Sequence, residues 1–139
     1  MPETSVSMLN KFFSLRPWIR ILIMLVYLVI VTLLSLLPTS NLPNIPFING
    51  QDKAVHVTMY LGLAFLASWS LDTHGRKKPS VPLMLAGVAG WGVLMEVLQH
   101  LMTNGRGLEF TDMIANLAGA TAGMFLYIHL HRLRKVAAR

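Results

Sequence analysis

The sequence predicts an all-α integral membrane fold, a bundle of four transmembrane helices. Three observations predict it. Apolar residues make up 54% of the chain and charged residues only 13%, about half the usual charged share, and mean hydropathy is +0.56. Four apolar runs are each about 20 residues long, the length at which a helix crosses ~30 Å of hydrocarbon. The 12 Lys and Arg fall in short clusters between those runs. A soluble all-α domain would need a polar outer face that none of the runs supplies. Membrane strands would be shorter and would alternate.

The first run, WIRILIMLVYLVIVTLLSLLP (about 18–38), is too long for a signal-peptide core and has no small-x-small cleavage site. It reads as an uncleaved span. Pro38, Pro43 and Pro46 then block helix, and Asn49-Gly50 signals a turn. The second span (about 53–71) follows as AVHVTMYLGLAFLASWSL. The third, VPLMLAGVAGWGVLMEVLQHLM (81–102), leads into a short connection with Asn104-Gly105. The fourth, TDMIANLAGATAGMFLYIHL (111–130), has Thr111 as a cap and Asp112 in its first turn, where the helix dipole favours an anion. Residues 1–139 form a single membrane domain without an internal repeat.

Charge sets the orientation. Lys11, Arg16 and Arg20, then Arg76, Lys77 and Lys78, then Arg132, Arg134, Lys135 and Arg139 all fall on one side of the four spans, leaving Lys53 and Arg106 on the other. The positive-inside rule puts both termini in the cytoplasm. The clusters form no basic stripe with interleaved aromatics, so nucleic acid is not an expected partner. The absence of Cys excludes disulfides and thiol chemistry.

The polar groups that enter the apolar runs gather at the external ends. Asp52, Lys53 and His56 open the second span; Glu96, Gln99 and His100 close the third; Arg106 and Glu109 lie in the connection; Asp112 and Asn116 open the fourth. Asp52, His56 and Tyr60 share one helix face, with Tyr60 roughly 12 Å deeper than Asp52. Glu96, Gln99 and His100 share another. Below Asp112 and Asn116 come Gly119 and Gly123, a GxxxG that lets another helix pack closely. Taken singly, Asp52 suits a cap and Lys53 an interfacial snorkeller. Facing lipid together, such groups would cost several kcal/mol. They are expected to face one another around an external-side pocket.

These residues resemble the VanZ-like family. DKAVHVTMYLGLAFL is similar to its first signature, D-K-x-x-H-x-x-x-Y-x-x-L. GVLMEVLQHLMTNGRGLEFTDMIANLAGATAG is similar to its second, which here places Gly92, Glu96, Gln99, Arg106, Thr111, Asp112, Asn116, Gly119 and Gly123. The match spans about residues 30–125. The resemblance implies a small multi-span protein of the bacterial cytoplasmic membrane. The naming member of that family is associated with resistance to the glycopeptide teicoplanin. A role in the cell envelope and in glycopeptide sensitivity is the corresponding expectation.

Three mechanisms stay open. An enzyme would use His56, Glu96 and Asp112 as acid, base and orienting group, since burial can move His56 or Glu96 toward neutral pH. Asp52, Lys53, Tyr60, Gln99, Arg106 and Asn116 would bind substrate. A binding protein would hold a lipid-linked head group or a peptidoglycan-related ligand in the same pocket; Arg106 with Glu96 and Asp112 suits a zwitterion. A transporter is the third class, although four spans are few for a pathway without homo-oligomerisation. His56, Glu96 and Asp112, with His100 as a fourth, have the residue types for a metal site between helices. No HExxH or ExxH pairing marks one, and the expectation assigns no metal and no particular cofactor. Membrane lipids are the general partners.

Overall fold

The computed structural model describes residues 3–36, 51–72, 80–102 and 109–137. Among them are five helices and no strand: α1 Glu3–Phe13, α2 Pro17–Leu36, α3 Gln51–Ser70, α4 Val81–Met102 and α5 Phe110–Ala137. The four apolar runs are α2 to α5. The prolines at 38, 43 and 46, both Asn-Gly pairs, the basic residues at 76–78 and Arg139 lie outside the described residues, as does Arg106.

Among the described residues, three helices are long and apolar enough to cross a membrane: Pro17–Leu36, Val81–Met102 and Phe110–Val136, with mean hydropathy 2.7, 1.8 and 1.4. Helix α2 presents Ile21, Leu22, Leu25, Val26, Val29, Ile30, Leu33 and Leu34 outward, the pattern of a helix solvated by hydrocarbon rather than water. Helix α3 is 20 residues long but falls short of that apolarity. Its first turns carry Asp52, Lys53 and His56, and its remaining faces are the most enclosed in the bundle.

Helices α3 and α5 form the closest pair. A Cβ on Gly119 would run into the Val57 carbonyl, and one on Gly123 into the Leu61 carbonyl. The two backbones therefore touch with no side chain between them, the approach that small-xxx-small spacing permits. Val57 meets Gly119 and Leu61 meets Gly123, so α3 and α5 run parallel. Helix α2 leans on the other face of α3, where the Tyr27 hydroxyl donates to the Met59 carbonyl at 3.1 Å. Val31, Tyr60, Leu63, Ala64, Val88 and Ala120 form the core that α2, α3, α4 and α5 share.

Helix α1 is absent from the sequence reading, which took the N-terminal segment only as a cytoplasmic basic flank. It is held by aromatic packing. The Phe12 ring stacks on Trp69 with centroids 4.2 Å apart and planes 8° apart. Phe13 is fully buried against Tyr127 and His131 of α5. Helix α5 continues past the expected end at 130 to Ala137, and this extension supplies His131 and Arg134 to the α1 contact.

Candidate functional site

The parallel pairing of α3 with α5 puts the polar first turns of both helices side by side. Lys53 of α3 reaches three carboxylates: its Nζ lies 2.8 Å from Asp52, 3.0 Å from Asp112 and 3.3 Å from Glu109. Asp52, Lys53 and Glu109 form a half-open rim. The Lys53 ammonium, hydrogen-bonded to Asp52 at the head of α3, holds that carboxyl below the usual carboxylate range.

Beneath the rim the groups are buried. His56, Asp112 and Asn116 are 8%, 2% and 2% exposed, and Glu96 of α4 is 3% exposed. His56 Nδ1 lies 2.9 Å from Asn116 Oδ1. An amide oxygen can only accept, so this pairing puts a proton on Nδ1. Nε2 then points the other way, 3.6 Å from Asp112 Oδ2. One ligand atom each from His56, Glu96 and Asp112 lies within 4.8 Å of the other two. Three helices thus deliver an imidazole and two carboxylates to one buried point.

Tyr60, one turn below His56, is 1% exposed. Its hydroxyl has no hydrogen-bond partner among the described residues, and neither does Asn116 Nδ2. The Glu96 carboxylate is close enough to act on Tyr60 electrostatically. Gly92 of α4 makes this packing possible: a Cβ there would sit 3.1 Å from the Tyr60 ring and 3.2 Å from Asn116 Nδ2.

The structure therefore brings together Asp52, Lys53, His56, Tyr60, Glu96, Asp112 and Asn116. Gln99 is buried, and its Nε2 donates to the Ser35 carbonyl at 2.6 Å, which ties α4 to the last turn of α2. His100 is exposed and stands outside the three-helix group. Asn116, rather than Asp112, makes the short hydrogen bond that orients His56.

Sequence reasoning assigned only ordinary flanking cations to the opposite end of the bundle. The structure places a second polar cluster there. Arg20 is fully buried and donates from Nη1 to the Trp69 carbonyl at 2.9 Å. Asp72, just past α3, lies 3.2 Å from His131 of α5. The signal was present in the sequence: Arg20 stands inside the first apolar run, and Asp72 directly follows the second.

A protein of the fission yeast Schizosaccharomyces pombe, Uncharacterized protein C11E3.10, is 30% identical to this chain over 116 residues, which is 82% of the chain and 67% of that protein. The chain belongs to its family. No family model matches the chain, and no solved structure matches it. Membership of the C11E3.10 family sets the chain beside a eukaryotic relative.

Proposed function

We propose that this chain is a VanZ-like membrane protein whose α3, α4 and α5 ends form a binding site for the head group of an envelope lipid. In this reading α3 is the fourth span, its polar first turns shielded by α4 and α5, and both termini are cytoplasmic. The observation that carries the proposal is the buried meeting of His56, Glu96, Asp112 and Asn116 from three helices at one level. Ionisable groups at membrane depth are costly, and they are kept where a ligand or a reaction needs them.

The charge balance favours one ligand class. Asp52, Glu109 and Asp112 surround Lys53 at the rim. A zwitterionic head group suits this balance, its amine toward the carboxylates and its phosphate toward Lys53. Kinship with a fission-yeast protein favours a ligand that eukaryotic membranes also contain, a phospholipid head group over a cell-wall fragment. The two signature stretches favour a second reading, in which the ligand is peptidoglycan-related and glycopeptide sensitivity depends on it.

Glu96→Gln, purified in detergent beside the parent, tests the proposal. Melting temperatures would be measured against a panel of zwitterionic and anionic phospholipids and peptidoglycan fragments. The expected result is a folded variant that loses a lipid-dependent shift the parent shows. A parent that no lipid or fragment shifts, with a variant that simply melts early, would make the cluster a structural network and sink the proposal.

A further inference from the structure

We infer that His56, Glu96 and Asp112 bind a divalent transition-metal ion, Zn²⁺ or Mn²⁺, between α3, α4 and α5. The inference deepens the ligand-site reading of the same cluster and rests on it.

Consider first what His56 can do. With Nδ1 committed to Asn116, its Nε2 carries a lone pair in the neutral ring. That lone pair faces Asp112 Oδ2 at 3.6 Å, and a Glu96 oxygen shares the same space. An imidazole nitrogen and two carboxylate oxygens, from three helices, converge in a buried place. That donor set is one that Zn²⁺ or Mn²⁺ takes between helices of a bundle. Asp112 Oδ1 is already bonded to Lys53 at 3.0 Å, which leaves Oδ2 for the centre.

Distances fit a metal. Tetrahedral Zn²⁺ with ligands at about 2.0–2.2 Å sets neighbouring ligand atoms about 3.3–3.6 Å apart. The His56–Asp112 separation of 3.6 Å is close to that value, and a Glu96 oxygen lies within 4.8 Å of both atoms. A carbonyl or amide accepting from the far ring nitrogen is the usual way a metal-bound His is aimed, and Asn116 occupies that place. The imidazole disfavours Mg²⁺ and Ca²⁺, which prefer all-oxygen shells.

A separate observation points to a fourth ligand. The Tyr60 hydroxyl is buried with no acceptor among the described residues, beside Glu96. It is free to donate to a water or a head-group oxygen held by the metal. The other carboxylate group at this end, Asp52, Glu109 and Asp112, already has Lys53 Nζ among its oxygens and has no place for an ion.

The test uses the full chain in detergent. Metal content is measured after purification, the protein is stripped with a chelator, and Zn²⁺, Mn²⁺, Mg²⁺ or Co²⁺ is added back. One Zn²⁺ or Mn²⁺ per chain with a raised melting temperature is expected, with no response to Mg²⁺. Glu96→Gln and His56→Ala should weaken binding at least tenfold, and Asn116→Ala about 10–100-fold. Co²⁺ should give visible absorption bands that Asn116→Ala shifts, a readout that a merely destabilised variant does not produce. A folded parent that neither holds nor responds to any of these ions overturns the inference. So does unchanged affinity in Glu96→Gln. Repeating the lipid panel with chelator present separates the two readings: a lipid shift that survives there, with no metal bound, rejects the metal and keeps the ligand site.

Discussion

His56 Nδ1 and Asn116 Oδ1 stand 2.9 Å apart across the α3–α5 contact. This one bond fixes which face the imidazole offers to Glu96 and Asp112. It also ties the two helices at the level where both are most polar. Loss of the amide leaves a buried ring nitrogen unsatisfied, which costs about 1–3 kcal/mol. Asn116→Ala should lower stability by that order and let the His56 ring turn. Nitrogen NMR of the labelled imidazole would check this, since the variant should lose the single tautomer that the parent holds.

Gly119 and Gly123 admit no side chain, because a Cβ at either meets the backbone carbonyl of Val57 or Leu61. Gly119→Ala should cost about 1–3 kcal/mol, as overpacked contacts do, and Gly119→Leu more. The measurement is thermal melting in detergent. An unchanged melting temperature in Gly119→Leu would show that α3 and α5 do not touch there.

Phe12 stacks on Trp69 at 4.2 Å, and such pairs contribute about 0.5–1.5 kcal/mol beyond burial. Phe12→Ala should therefore loosen α1 with little effect on the rest of the bundle. Trypsin would cut after Lys11 faster in the variant, while the melting of the remaining helices stays close to that of the parent.

The chain has no Cys, so single introduced thiols report topology cleanly. Lys11→Cys, Ser80→Cys and Val136→Cys should react with a membrane-impermeant reagent only after the membrane is opened. Glu109→Cys should react in intact cells. Labelling of Ser80→Cys and Glu109→Cys from the same side would reject four spans.

Asp52 supplies a pH test. Its carboxyl titrates below the ordinary value of about 3.9 because Lys53 hydrogen-bonds it. A depressed folded value means that the pair stabilises the fold above the unfolded carboxyl value. That contribution fades as pH falls through the folded value. Carboxyl NMR should show Asp52 returning to the ordinary range in Lys53→Met.

Much of the helical layout was legible because the length of the apolar runs dictates it. The polar level was legible because Asp52, His56 and Tyr60, Glu96 and Gln99, and Asp112 and Asn116 repeat at helical spacing, and such spacing puts side chains on one face. What the spacing could not carry was partner choice. Gln99 shares a face with Glu96, yet its amide goes to the Ser35 carbonyl of α2. Helix α1 escaped because its hold is tertiary: Phe12 and Phe13 find Trp69 and Tyr127, which are distant in sequence. Arg20 was taken as a flanking cation because charge counting treats every basic residue at a run's edge alike, whatever it donates to.

The glycine seam between α3 and α5 has a consequence for register. Gly119 and Gly123 are four residues apart, as are their counterparts Val57 and Leu61. Sliding one helix by a single turn, about 5.4 Å, would bring Ala115 or Tyr127, one turn either side of the glycine pair, to a backbone carbonyl that admits no Cβ. Shape therefore already disfavours the neighbouring alignments, the one that brings in Ala115 least. The ionic partners choose strongly, because the same slide would carry Asp112 away from Lys53 and His56 and leave a buried carboxylate unpaired, at a cost of about 3–5 kcal/mol. The polar cluster thus acts as a second key, cut to the same notch that the glycines fit.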